Sequence, residues 1–168
     1  MTLSRLPGVL SAIAVFVLTV ATAAAESVVP GFDTTVSLEA TGAGSFTVRA
    51  SLGDTQGDFL LDTGASLVTI TPALFAELRK AGGVEPAGKV AARDAAGRLE
   101  TLQLYRVESF TIGSDCRLGP VDVAVLKGGS RNLLGMSALR QAAPFAVSMA
   151  PPALALSRCG DAPGLAAR

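Results

Sequence analysis

Turn signals recur about every 8–12 residues through most of this chain, and that spacing limits the fold more than any other feature. Pro30-Gly31, Thr41–Gly44, Gly53–Gly57, Asp94–Gly97 and Gly113–Pro120 punctuate the sequence. The runs between them are short, apolar and rich in β-branched residues, as strands require. Strands are predicted at Thr35–Ala40, Ser45–Leu52, Phe59–Leu61, Leu67–Ile70, Val90–Arg93 and Arg98–Tyr105. Further strands are predicted at Val107–Ile112, Val121–Leu126, Phe145–Met149 and Ala153–Ser157. Ser45–Leu52 alternates, with Phe46, Val48, Ala50 and Leu52 on one face. One segment reads as a helix: Thr71 as N-cap, Pro72 at the first position, Ala73–Lys80, then Gly82-Gly83 as the stop. Arg79 and Lys80 at its end complement the helix dipole. A second short helix is expected at about Met136–Ala142. The pattern predicts an all-β barrel or sandwich with one or two short helices, not a parallel βαβ sheet.

The first 25 residues stand apart. Arg5 is their one charged side chain, Val9–Val20 is nearly unbroken apolar sequence, and Ala23-Ala24-Ala25 precedes Glu26. This is the layout of a secretory signal peptide, with cleavage expected after Ala25. An uncleaved anchor over residues 9–25 is the competing reading, at the short limit for spanning a bilayer. The first reading places the mature chain in the periplasm or outside the cell. The second places it on the inner membrane. Residues 26–34 read as an extended lead-in, 35–158 as the domain and 159–168 as a tail. Cys116 and Cys159 both fall in the exported part, where an oxidising compartment permits a disulfide. A bridge or two separate thiols both fit the sequence.

Composition narrows the chemistry. The chain has 14 Lys+Arg against 14 Asp+Glu, no Trp and one Tyr. It lacks the basic face and the stacking platforms of a nucleic-acid binder. It has no His and two Cys. Ser-His-Asp and Cys-His catalysis, His-ligated zinc and four-thiolate zinc are therefore excluded within one chain. No metal-ligand cluster appears, and no cofactor is implied. Hydrolysis, if any, must run on carboxylates, Lys, or a hydroxyl activated without imidazole.

The segment Phe59-Leu60-Leu61-Asp62-Thr63-Gly64-Ala65-Ser66 carries the chemistry. A carboxylate closes an apolar strand, where burial disfavours its charge unless something compensates. Gly64 permits a tight turn that brings backbone amides toward it. Thr63 adds a hydroxyl. By itself this is also an ordinary Asp-Thr-Gly turn. About 70 residues downstream, Asn132-Leu133-Leu134-Gly135 leads into the second helix. Between the two lies the Val90–Tyr105 hairpin, with Arg93-Asp94-Ala95-Ala96-Gly97 at its tip.

Motif, hairpin and apolar-apolar-Gly strand in this order resemble a retropepsin-like aspartic protease, over about Thr35–Met149. The likeness is to bacterial exported or membrane-anchored single-lobe members. It implies a closed acid-protease-like barrel in a single lobe. It further implies Asp62 as the catalytic group. Thr63, Gly64, Ala65, Ser66, Leu134 and Gly135 would be its support. The hairpin tip at Arg93, Asp94, Ala95, Ala96 and Gly97 would be a flap over substrate, although a solvated turn is the preferred account of the charges at Arg93, Asp94 and Arg98. One departure stands out. The retroviral members commonly pair an Asp two places after the motif glycine with an Arg after the downstream glycine. Here those places hold Ser66 and Met136, so packing and a neutral hydrogen bond must hold the scaffold.

The family mechanism needs two carboxylates sharing a proton. No other Asp in this chain is followed by Thr-Gly or Ser-Gly. Activity therefore requires a homodimer in which Asp62 of each chain meets at a two-fold axis, acting on a peptide or protein substrate. The alternative is a non-catalytic periplasmic peptide-binding or interaction module on the same fold. Action on the chain's own N-terminus or on an envelope partner is a third possibility. A membrane enters only if the N-terminal segment is retained.

Overall fold

The computed structural model describes residues 29, 31–93 and 97–160. The expected signal or anchor segment 1–25, the flap-tip residues Asp94, Ala95 and Ala96, and residues 161–168 lie outside the described residues.

The first half of the chain forms β1 (Thr34–Ser37), β2 (Glu39–Ala40), β3 (Phe46–Leu52), β4 (Thr55–Leu61), β5 (Val68–Ile70) and α1 (Pro72–Lys80). The hairpin strands β6 (Glu85–Arg93) and β7 (Leu99–Val107) follow, then β8 (Phe110–Ile112), β9 (Cys116–Leu118) and β10 (Val121–Val125). The chain continues with β11 (Asn132–Leu134), α2 (Met136–Leu139), β12 (Phe145–Met149) and β13 (Pro152–Leu156). The fold is all-β with two short helices, as expected. A large sheet runs β6-β7-β10-β5-β11-β4-β3-β8-β9, with β2 beside β3, and a small sheet runs β1-β13-β12.

The alternation read in Ser45–Leu52 decides which face is inside. Val48, Ala50 and Leu52 are buried, while Arg49 faces solvent. Arg49 pairs there with Asp58 on β4 at 2.8 Å, both well exposed, which contributes little in water. Phe59 and Phe110 meet edge to face at 5.6 Å in the core, a favoured aromatic geometry. Leu74 and Leu78 of α1 are buried, as are Leu154 and Leu156 of β13. The Thr71 hydroxyl accepts from the Leu74 amide at 3.3 Å, so α1 starts at the expected cap.

Several boundaries differ from the sequence reading; among them, the strand expected at Thr35–Ala40 is split into β1 and β2, and the one expected at Val90–Arg93 begins at Glu85. The turn expected at Gly53–Gly57 is only Gly53-Asp54, because Leu52 pairs directly with Thr55 in a two-residue hairpin. Val107–Ile112 is not one strand. The chain changes neighbours at Glu108-Ser109: β7 pairs with β10 and β8 with β3. The Gly113–Pro120 connection contains β9, paired with β8. The second helix stops at Leu139 rather than Ala142; beyond it, the Ala142 carbonyl accepts from the Ser157 amide past the end of β13.

Cys116 and Cys159 form a disulfide, with Cα atoms 4.5 Å apart. It joins the chain beyond the small sheet to β9 at the edge of the large one. The Gly160 amide donates to Arg117 O at 2.8 Å, so the start of the expected tail is tied down. Among the described residues no helix is long and apolar enough to cross a membrane.

Candidate active site

The site is built where three strands meet. β11 lies between β4, to which it is parallel, and β5, to which it is antiparallel. The loop from β4 to β5, residues 62–67, must therefore pass over the end of β11. Leu61 pairs with Leu134 in the ladder. The next bonds lock the loop onto the strand: Asp62 N–H to Leu134 O at 3.1 Å and Met136 N–H to Ala65 O at 2.8 Å.

Gly135 sits beneath this crossing. A Cβ there would run into the Leu67 carbonyl and stand 2.9 Å from Ala65 O. Its φ is −93°, which any residue can adopt. The glycine is required for space, not for backbone conformation.

The loop presents Asp62 half-buried. Its Oδ1 accepts from the Gly64 amide at 2.9 Å and the Ala65 amide at 3.2 Å. These two donors fix the carboxylate against its own turn, and among the described residues none engages Oδ2. Gly64 is not in the left-handed region. A Cβ there would instead stand 3.2 Å from Asp62 Oδ1, so the glycine permits the close approach itself. Thr63, Gly64 and Ser66 are exposed beside the carboxylate.

The neutral hydrogen bonds expected of the scaffold are present, but Ser66 does not make them. Ser137 Oγ accepts from the Val68 amide at 2.9 Å. Asn132 Oδ1 accepts from the Thr71 amide at 2.9 Å, and its Nδ2 donates to Asp58 O at 3.0 Å. Asn132 thus links β4, β11 and the start of α1. Met136 packs partly buried against the core. The sequence reading placed Asn132 and Ser137 in the downstream motif without giving them roles. Their signal was a polar residue on each side of a buried apolar-Gly segment, where a side chain can satisfy orphan amides.

A cleft of about 540 Å³ opens over Asp62. The loop supplies one wall with Asp62 and residues 64–67. The floor is Thr69, Leu126 and Leu133. The β6–β7 hairpin supplies the roof with Ala92, Arg93, Glu100 and Leu102. Arg93 Nη1 also donates to Gly97 O at 2.6 Å, bracing the hairpin near its tip. Of the expected flap residues, Arg93 lines the cleft, Gly97 holds Arg93, and Asp94, Ala95 and Ala96 lie outside the described residues. Glu100 and the leucines of the cleft were not read as site residues. Nothing in one strand's alternation says which apolar face closes a cleft and which fills a core. Leu99, beside the flap tip, is 70 % exposed.

Among the described residues no three metal-ligating side chains come together. The site offers a carboxylate positioned by backbone amides in a largely apolar cleft under a hairpin. Such a group can take or give a proton, and apolar walls can hold an extended chain against it.

Residues 48–138, just over half of the chain, match the family model described as aspartyl protease. Among solved structures, a retropepsin-like aspartic protease from Rickettsia conorii is similar in fold, with a TM-score of 0.52 and 19 % identity. The match covers 76 % of this chain and 92 % of that one. No curated protein matches the chain.

Proposed function

This chain belongs to the retropepsin-like aspartyl proteases, and from that membership we propose that it is an endopeptidase whose catalytic pair is Asp62 from each of two chains. The observation that carries the proposal is the Asp62 loop: a carboxylate held by two backbone amides in the wall of a cleft roofed by a hairpin. The family's chemistry needs a second carboxylate. Among the described residues, Asp62 and Glu100 are the carboxylates that line this cleft, and Glu100 comes from the hairpin rather than from a second Asp-Thr-Gly loop. A two-fold axis beside the exposed Thr63 and Gly64 supplies the missing partner.

In the paired site one carboxylate is protonated and one is charged. The charged member takes a proton from water as the oxygen attacks the scissile carbonyl carbon. The protonated member gives its proton to the carbonyl oxygen. Collapse of the resulting diol breaks the C–N bond, and a proton passes to the leaving amine. Both β6–β7 hairpins cover the peptide and shield these transfers from water. The exported location, periplasmic after cleavage at Ala25 or membrane-anchored through residues 9–25, belongs to the same proposal.

The test is cleavage of an unfolded protein substrate by the wild-type chain and by Asp62→Asn. The proposal requires that cleavage disappear with the carboxylate while the thermal transition is kept. Cleavage that survives the change sinks it. A non-catalytic peptide-binding module is the second reading, favoured by the single motif carboxylate per chain. A chain that remains strictly monomeric at high concentration in sedimentation supports that reading instead.

A further inference from the structure

The β6–β7 hairpin that roofs the cleft is held by the large sheet only at its base. β7 pairs with β10 from Val107 to Leu104, and there its contact with a third strand ends. Farther out, Lys89–Arg93 and Leu99–Gln103 pair with each other. Among the described residues no further strand joins this arm. A two-stranded ribbon has little stability of its own in water, so its direction must be set where it leaves the sheet.

That point carries an irregularity. Pro86 pairs with Tyr105 and Gly88 with Leu104, so Ala87 is an extra residue on β6. Such a bulge bends and twists its strand. Gly88 has φ +107°, although a Cβ there would meet nothing within 4 Å. Here the glycine serves backbone conformation rather than space. Pro86 brings no N–H to the ladder, and a bulge disrupts the ladder locally. The Gln103 side chain supplies donors at this place. Its Nε2 donates to Gly88 O on β6 at 2.5 Å and to Leu104 O on β7 at 3.1 Å. One amide thus ties both strands together where β7 parts from β10. Ordering a glutamine costs rotamer entropy, which two hydrogen bonds at a broken ladder offset. Gln103 does not line the cleft. It follows Leu102, which does, and strand alternation turns it to the other face.

We infer that Gln103 is a positioning residue for the cleft: its amide locks the bulge at Gly88 and so sets the angle at which Ala92, Glu100 and Leu102 stand over Asp62. It acts through the backbone of the arm. Without it the two carbonyls turn to water, the arm swings at Gly88, and the roof spends part of its time away from the carboxylate. Apparent affinity then falls with the fraction of chains whose roof is in place, while the chemistry under a closed roof is unchanged. The lock follows from the fold; its effect on cleavage rests on the protease reading.

The experiment places spin labels at Leu99→Cys in the arm and at Lys127→Cys, an exposed position next to Leu126 of the cleft floor. The native cysteines are bridged and take no label. Labelled chain is mixed with excess unlabelled chain, so that pulsed electron resonance reads distances within one chain. Gln103 is compared with Gln103→Met and Gln103→Glu, which donate nothing at neutral pH, and with Gln103→Lys, which does. One narrow distribution is expected for Gln103 and Gln103→Lys. A broader one reaching longer distances is expected for Gln103→Met and Gln103→Glu, with the melting temperature lowered by less than about 3 °C. In cleavage of an unfolded protein by unlabelled chains, Gln103→Met should raise KM about tenfold if the roof is in place about one-tenth as often, and leave kcat within about twofold. The inference is overturned if Gln103→Met keeps the parent's distribution, if Gln103→Lys does not restore it, or if kcat falls while KM holds. A larger fall in melting temperature also overturns it, since the side chain then serves the fold. Failure of the protease reading looks different: no chain shows cleavage that depends on Asp62, while the distances still separate the variants.

Discussion

The Leu67 carbonyl occupies the space that a side chain on Gly135 would need. That contact holds the loop bearing Asp62 directly on the end of β11. The carboxylate's position is therefore set by the close approach of two backbones, 68 residues apart in sequence, and not by side-chain packing around it.

Replacing Gly135 by Ala should accordingly destabilise the whole protein. The added methyl meets backbone, which cannot swing aside as a side chain can. A loss of about 3 kcal/mol or more is expected, or failure to fold. Urea unfolding checks it. A change below about 1 kcal/mol would show that the loop can lift from β11.

Asn132→Ala and Ser137→Ala remove the acceptors for the Thr71 and Val68 amides. Asn132→Ala is expected to cost about 1–2 kcal/mol and Ser137→Ala about 1 kcal/mol, since partly buried amides lose their partners. Ser66→Ala is the control, expected within about 0.5 kcal/mol because Ser66 is exposed. Equal effects at Ser66 and Asn132 would contradict the scaffold described above.

The disulfide closes a loop with a sequence separation of 43 residues. Chain-entropy reasoning gives it about 4 kcal/mol of stability. Cys116→Ser/Cys159→Ser should unfold at correspondingly lower denaturant than the wild-type chain. No shift in midpoint would mean that the Gly160–Arg117 bond and the packing of Leu154 and Leu156 already hold this region.

A dimeric site makes Asp62→Asn interfering rather than merely inactive. Adding an equal amount of that variant to a fixed amount of wild-type chain, with subunit exchange complete, should lower total cleavage to about half. Unchanged cleavage would indicate that each chain acts alone. In the homodimer of Asp62→Asn, kcat/KM should fall by about a thousandfold or more.

Much of this fold was legible in the chain. The alternation of Val48, Ala50 and Leu52 fixed the inner face of β3. Thr71-Pro72 and Gly82-Gly83 bounded α1 closely. Asp62-Thr63-Gly64 marked the carboxylate, and Asn132–Gly135 its support, because both motifs follow from local needs: a tight turn, an apolar strand, a place without a side chain. The reading failed where neighbours decide. The break at Glu108-Ser109 and the strand Cys116–Leu118 exist because β8 has a different partner from β7, and no local pattern records that. For the same reason the roles of Asn132, Ser137 and Glu100 were not assigned.

By itself, then, the sequence determined that this chain is all-β, that its chemistry needs no imidazole, and that its one Asp-Thr-Gly carboxylate is Asp62. Those follow from composition and from periodicities that act within a few residues. Only the tertiary structure decided why Gly135 must be glycine and which side chains satisfy the amides beneath the loop. Each of those depends on contacts between β4, β5 and β11, elements distant in the chain. Their meeting is fixed by the topology of the sheet.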